Sequence, residues 1–376
     1  MKVLFISSWY PNSTNPLKGL FVKKHAQAIR AAGVEIEVLA LTVNASDKYY
    51  DKKIYKTTDE AGVVTHNIEL NSRFYKFLHV DRFWQYAVLR SHYLKNVKSQ
   101  FKPDIIHSNV LYPAAVLGYK LSKRENLPHI ITEHWSQVDK FMNTSLFANI
   151  GKKTYHFAKT ITVVSDFLRK SISKHLNNPK KIEVVPNVIN SRYFSYKPKE
   201  RREDRIEFVC VAQWRKPKRP DLIFSALNYL GKQISSKKII LNVVGEGHLI
   251  NELKPKKWSF EINYLGNKTS SELASILHQS DFFLHASDME TFSIVIAEAL
   301  ATGTPVFASQ VGAVSELVNM TNGFTVDNSA ESWANGLFKL IEKTDFDHKQ
   351  IAEQARRFND VEIGKRFKDI YEKCLK

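Results

Sequence analysis

The stretch Asp281-Phe-Phe-Leu-His285, Ala286-Ser-Asp-Met-Glu290, Thr291-Phe-Ser-Ile-Val-Ile-Ala-Glu298, Ala299-Leu-Ala-Thr-Gly303-Thr-Pro305-Val306 decides the fold. The apolar run ending at His285 reads as a strand buried on both faces. A polar loop carries Glu290. An apolar helical run begins near Phe292, Gly303 stops it, and Pro305 opens the next strand. A buried strand, a helix and a second buried strand in direct succession make the repeating unit of a helix-covered parallel sheet.

The same alternation extends outward through the chain. Strand candidates in the second half are 206–212, 239–244, 261–265, 281–285, 305–308 and 323–326. Those in the first half are 2–7, 34–41, 103–107, 128–132, 160–164 and 182–186. A helix over 19–32 sets Phe21, Val22, His25, Ala26 and Ile29 on one face and stops at Gly33. Residues 187–205 lack apolar periodicity and hold Pro198 within a charged run, so they read as a joining segment.

A chain of 376 residues suits two domains of under about 200 residues each. The expected organisation is a first domain over 1–190, a linker over 191–205, a second domain over 206–357, and a terminal helix over 358–376 able to cross back to the first domain. Both domains read as doubly wound α/β sheets. Such sheets bind ligands at the carboxyl ends of their strands, so functional residues are expected just after strands, in a cleft between the domains.

Composition narrows the class. Hydrophobic residues are 43% and charged residues 25%, an ordinary globular balance. No apolar run approaches the roughly 20 residues that span a bilayer. The start, Met1 to Ile6, reads as a first buried strand rather than a signal peptide. Cys210 and Cys374 form neither a disulfide framework nor a zinc site, and a cytosolic setting is expected. Lys and Arg number 55 against 38 Asp and Glu, a net charge of +17. That balance points to anionic partners: nucleic acid, an acidic membrane or phosphorylated small molecules. The basic residues are spread along the chain without a nucleic-acid module, so nucleic acid is set aside.

Six post-strand positions carry the candidate chemistry. Thr291 and Ser293 flank a helix start, where unpaired N–H groups and the helix dipole suit a diphosphate. Glu298 lies about two turns in, so Glu290 and Glu298 have separate tasks: one meets ribose hydroxyls, the other the sugar beyond the phosphates. The basic loop Val211-Ala-Gln-Trp-Arg-Lys-Pro-Lys218 follows a strand, as does Val244-Gly245-Glu246-Gly247. In the first half, Asn15-Pro-Leu-Lys18-Gly19 precedes a helix, where Gly19 permits close backbone approach. Thr132-Glu133-His134 ends another strand, and His107 ends a further one.

Glu290-x7-Glu298 followed by Ala-Leu-Ala-Thr-Gly-Thr-Pro-Val resembles the signature of glycosyltransferase family 4, the large retaining GT-B family. The resemblance implies two Rossmann-like domains facing across a cleft. It places Glu290 against the transferred sugar, Glu298 on the ribose, and Thr291, Phe292 and Ser293 around the diphosphate. Lys218 falls on the family's diphosphate lysine, Gly245 and Glu246 on a turn near the base, Gly19 on the loop closing over the donor phosphate, and His134 on an active-site histidine. This chain departs from the pattern at Thr291 and Ser293, where most members have glycine at one or both positions. It departs further at Ala212 and Gln213, where the family has glycine and arginine. Arg215, Lys216 or Arg219 would then supply the missing charge.

The implied activity is metal-independent, retaining transfer of a hexosyl group from a UDP- or GDP-sugar to a glycan or lipid-linked acceptor, in cell-surface polysaccharide or glycolipid synthesis. No cofactor is implied, and Asp345 and Asp347 read as a helix N-cap region rather than a metal pair. Residues 72–97 mix Arg73, Phe74, Tyr75, Lys76, Phe77, Arg82, Phe83, Trp84, Arg90, Tyr93 and Lys95. They form either a helix packing its aromatics inward or a face on an anionic membrane at its cytoplasmic side. The rivals are a GT-B sugar-nucleotide epimerase, a non-catalytic basic protein binding membrane or nucleic acid, and a nicotinamide oxidoreductase, which lacks its Gly-x-Gly-x-x-Gly turn after the first strand.

Overall fold

The computed structural model describes residues 1–73, 80–144, 147–176, 178, 181–199, 202–343 and 345–376. They form two compact units, Met1–Val188 with Asp360–Lys376, and Ile189–Asn359.

The first unit holds one eight-stranded sheet. Its strands are β1 (Lys2–Ser7), β2 (Glu35–Ala45), β3 (Tyr50–Thr58), β4 (Val64–Ser72), β5 (Ile105–Asn109), β6 (His129–Glu133), β7 (Thr160–Val163) and β8 (Ile182–Val184). Their spatial order is β3-β4-β2-β1-β5-β6-β7-β8. Only β3 runs antiparallel to its neighbour. Val3 to Ser7 are all buried, as a central strand covered by helices on both faces requires.

The strands β3 and β4 were absent from the sequence expectation. The β3 segment, YDKKIYKTT, lies at the sheet edge with charged residues exposed, and β4 buries His66, Asn67 and Glu69. Neither presents the continuous apolar run that marks the other strands. Glu69 is satisfied by the Tyr55 hydroxyl at 2.6 Å and by Ser13, whose backbone N–H and hydroxyl donate at 3.1 and 2.9 Å. This ties the loop after β1 to the edge hairpin.

The second unit holds a six-stranded, wholly parallel sheet. Its strands are β9 (Arg205–Val211), β10 (Lys238–Val244), β11 (Glu261–Gly266), β12 (Phe282–His285), β13 (Val306–Ser309) and β14 (Gly323–Val326). The order β11-β10-β9-β12-β13-β14 places the reversal of winding between β9 and β12, the crevice where doubly wound sheets bind ligands. Trp214, Phe224, Phe307 and Trp333 fill the core of this unit.

Residues 189–199, expected as part of a linker, pack within the second unit. Phe194 is buried. The Lys199 ammonium donates to the Leu277 and Ser280 carbonyls and to Thr304 Oγ1 at 3.1, 2.9 and 2.7 Å, and burial brings its pKa down to about 8. The tail forms two helices, His348–Ala355 and Asp360–Leu375. The first is capped by the Asp347 side chain, which accepts from Gln350 N–H. The second belongs to the first unit, where Ile363, Phe367, Ile370 and Tyr371 join the core of Phe5, Val22 and Ile29. Among the described residues no helix is long and apolar enough to cross a membrane.

Candidate functional site

In the second unit the loops after β9 and β12 meet at the winding reversal. An isolated bridge joins Lys218 to Ser287. The β9 loop is anchored by Trp214, 2% exposed, which donates its N–H to Glu246 O at 2.9 Å and its indole N–H to Val244 O at 3.0 Å. The Gly245–Gly247 turn lies flat against it. Gly245 has φ 94°, and a Cβ there would come within 2.0 Å of Ala212 O, so only glycine fits. Gly245 is therefore a packing contact of the basic loop. Glu246 serves through its carbonyl, and its side chain is exposed.

Lys218 reaches across to Glu290, donating to Oε1. The same carboxylate oxygen lies 2.9 Å from His285 Nε2, and Ser293 Oγ lies 3.4 Å from that nitrogen. Burial alone would favour neutral Glu290, yet His285 and Lys218 hold its pKa down to about 2. The His285 pKa is lowered by burial and then by the Lys218 charge. An ammonium, a carboxylate and an imidazole thus form one polar cluster at the carboxyl end of the sheet. His285 was read from sequence only as a strand end. Its position five residues before Glu290, at the end of a buried strand, was the available signal.

Helix Ile294–Ala301 starts one residue after Ser293. Ser293 has φ 67° and ψ 85°, a conformation that non-glycine residues adopt at a cost of roughly 1–2 kcal/mol. Thr291 is half-buried, and Phe292 turns its ring inward against Phe358 at 5.4 Å. At Phe292 only the backbone is left for a ligand. Glu298 is 5% exposed and stands little more than one turn into the helix, not two, because the helix begins later than the apolar pattern suggested. Gly312 supports the cluster from the loop after β13, since its Cβ would fall 2.0 Å from Glu290 O and Ala313 N–H donates to that carbonyl at 3.0 Å.

Of the cations proposed for the missing arginine, Arg219 is held by Asp221 at 2.7 Å and Asp288 at 3.2 Å. Arg215 and Lys216 are exposed and enter no ion pair among the described residues. No group of three or more His, Cys, Asp or Glu able to hold a metal occurs among the described residues.

In the first unit Gly19 has φ 62°, and a Cβ would come within 2.1 Å of Trp9 O, so the loop after β1 closes tightly onto the start of helix Leu20–Ala31. That helix presents Phe21 and His25 to His134, with ring centroids 4.8 and 5.4 Å away. His134 is 5% exposed, with Nε2 3.3 Å from Asn109 Oδ1. Its pKa lies well below the ordinary 6.5, chiefly through burial, with His25 and His107 adding and Asn187 opposing. His107 is committed elsewhere, lying 2.6 Å from both the Tyr371 hydroxyl and Thr132 Oγ1.

The comparisons with known proteins follow this division. The family pattern "Glycosyltransferase Family 4" matches residues 19–193, and "Glycosyl transferases group 1" matches residues 193–358. An uncharacterized glycosyltransferase of Methanocaldococcus jannaschii is 24% identical over 389 aligned positions, covering 100% of this chain and 96% of that protein. Alpha-monoglucosyldiacylglycerol synthase of Streptococcus pneumoniae is 23% identical over 300, covering 73% and 67%. Among solved structures, Anabaena HepE in complex with UDP superposes with a TM-score of 0.71 at 16% identity, over 99% of this chain and 100% of that one. With both halves matched and the whole fold shared, the chain belongs to glycosyltransferase family 4, has the GT-B fold, and is a glycosyltransferase.

Proposed function

We propose that the chain transfers a hexosyl group, with retention, from a UDP- or GDP-sugar to a glycan or lipid-linked acceptor in cell-surface polysaccharide or glycolipid synthesis. The observation that carries this reading is the Lys218–Glu290–His285 cluster at the winding reversal of the second sheet. Lys218 is the cation for the donor diphosphate, joined by backbone N–H groups at the start of helix Ile294–Ala301 and by Arg215 in place of the arginine absent at Gln213. Glu298 takes the ribose hydroxyls. Glu290, released from Lys218 when phosphate arrives, faces the transferred sugar. The bond from the anomeric carbon to the diphosphate oxygen breaks as the acceptor oxygen attacks from the same face, and that phosphate oxygen takes the acceptor proton. Charge on the leaving group is met by Lys218, so the reading needs no metal.

The name of the pneumococcal relative gives a diacylglycerol glucoside as product, and the Anabaena structure holds UDP. Both agree with this donor and acceptor class. Peripheral contact with an anionic membrane belongs to the same proposal. Phe83 is 74% and Tyr49 63% exposed, and Arg73 lies over the Tyr49 ring. Phe74, Tyr75, Lys76 and Phe77 of the expected membrane face lie outside the described residues.

A thermal-shift panel of UDP-, GDP- and ADP-sugars, with and without EDTA, tests the donor. A large shift with one nucleotide, unchanged by EDTA, is the expected result. No shift with any of them would remove the donor-site assignment.

A further inference from the structure

The loop that leaves β5 is held in a conformation its residues disfavour. Val110 has φ 69°, a left-handed conformation unusual for a β-branched residue. The chain then kinks through Leu111–Ala115, where Tyr112 is extended at φ −127° and ψ 129°. The surrounding structure fixes both. Val110 N–H donates to Thr132 O at 2.8 Å, and Leu111 N–H donates to Glu133 Oε2 at 2.8 Å. Glu133 is fully buried and also accepts from the Tyr155 hydroxyl and from the N–H groups of His134 and Trp135, each at 2.9 Å.

This loop places Tyr112 and Pro113 in the wall of a cavity of about 320 Å³, whose other walls include Val116, Leu117 and Ile150. That volume lies within the range of small-molecule sites. The lining is chiefly apolar, yet Lys153 and Lys120, whose ammonium lies over the Phe83 and Tyr86 rings at 5.5 and 5.3 Å, stand in it. Gln85 also lines the cavity. It is 7% exposed, and its Oε1 has no hydrogen-bond partner among the described residues. A buried acceptor left open in an apolar wall is destabilising unless something supplies the donor. The roles assigned above to the donor leave this cavity unused.

We propose that the cavity binds the acceptor, and that the acceptor is an anionic amphiphile. Its apolar chain lies against Val116, Leu117 and Ile150, Lys120 and Lys153 hold its anionic group, and a hydroxyl or amide donates to Gln85. Its being an acceptor rests on the transferase reading; the binding itself does not.

The probe is octyl phosphate, titrated calorimetrically into the full chain below its micellar concentration, beside inorganic phosphate and octanol. Saturable one-to-one binding is expected, with each half-molecule binding at least tenfold more weakly. The double variant K120A/K153A should weaken octyl phosphate at least tenfold while keeping the thermal midpoint and the nucleotide-sugar shift of the unaltered chain. Q85L, which removes the open acceptor, should bind octyl phosphate as tightly or more tightly. Octyl phosphate binding that K120A/K153A leaves unchanged, or that inorganic phosphate equals, overturns the proposal. A nucleotide-sugar shift without octyl phosphate binding removes the cavity and leaves the transferase reading. Octyl phosphate binding lost in K120A/K153A, without any nucleotide-sugar shift, supports the cavity and removes the donor assignment.

Discussion

Lys218 and Glu290 are each other's partner, although the roles proposed for them, phosphate for one and sugar for the other, require them apart. The pair keeps an ammonium and a carboxylate satisfied at 19% and 11% side-chain exposure. On that proposal a donor diphosphate competes directly with Glu290 for Lys218. In E290Q, therefore, donor affinity should hold or rise while turnover falls by ~10²–10³, the range for removing one positioned charge from a reacting centre. K218M should instead weaken donor binding at least tenfold and lower stability by ~1–3 kcal/mol, because the buried carboxylate loses its ammonium. Calorimetry with the donor, beside initial rates, separates the two patterns. Equal loss of affinity in both variants would refute the competition.

Ser293 marks where this chain departs from the glycine common in its family. At φ 67° the serine is strained, so S293G should raise unfolding stability by about 1 kcal/mol. Urea unfolding checks this: the midpoint should move up with an unchanged slope. A fall would mean that the 3.4 Å contact to His285 outweighs the backbone term.

Gly312 offers a sharper contrast. G312A drives a Cβ to 2.0 Å from the carbonyl that positions Glu290, and should both destabilise by more than ~2 kcal/mol and cut turnover ~10²-fold through displacement of the carboxylate. G33A is the control. Its φ is 84° with nothing within 4 Å, so only the backbone cost of ~1–2 kcal/mol applies and turnover should stand.

The first unit should be acid-sensitive. His25, His107, His129 and His134 are buried. Burial first of all lowers each pKa, to about 4 for His25 and about 3 for His129. As pH falls below 6.5 the unfolded chain takes up protons that the folded unit refuses. The unfolded state then binds more protons, and stability drops from pH 6.5 towards 4 by ~1.4 kcal/mol per unit for each such histidine. Urea midpoints at pH 7 and pH 5 test the sign. H129Q should remove about one proton from the slope.

Much of this arrangement was legible in the sequence, and the failures have identifiable physical causes. Runs such as Val3–Ile6 and Phe282–Leu284 announce parallel strands because a strand covered on both faces is chiefly apolar. The β3–β4 hairpin escaped because one member is a solvent edge and the other buries His66, Asn67 and Glu69, whose partners are remote in sequence. For the same reason His285 passed as a strand end: its value comes from Glu290 and Lys218, and the latter lies 67 residues away. The start of helix Ile294–Ala301 was placed too early because Phe292 is apolar and buried, and apolarity cannot distinguish a core turn from a helical one.

The last helix, Asp360–Leu375, completes the core of a unit whose other residues end at Val188. During synthesis Phe5, Val22 and Ile29 leave the ribosome long before Phe367 and Tyr371 can cover them. The second unit, contiguous from Ile189 to Asn359, has all its residues earlier. The chain therefore reverses the usual order of domain folding: the half that is made first waits for its closing helix, and a nascent-chain chaperone would find its apolar surface there.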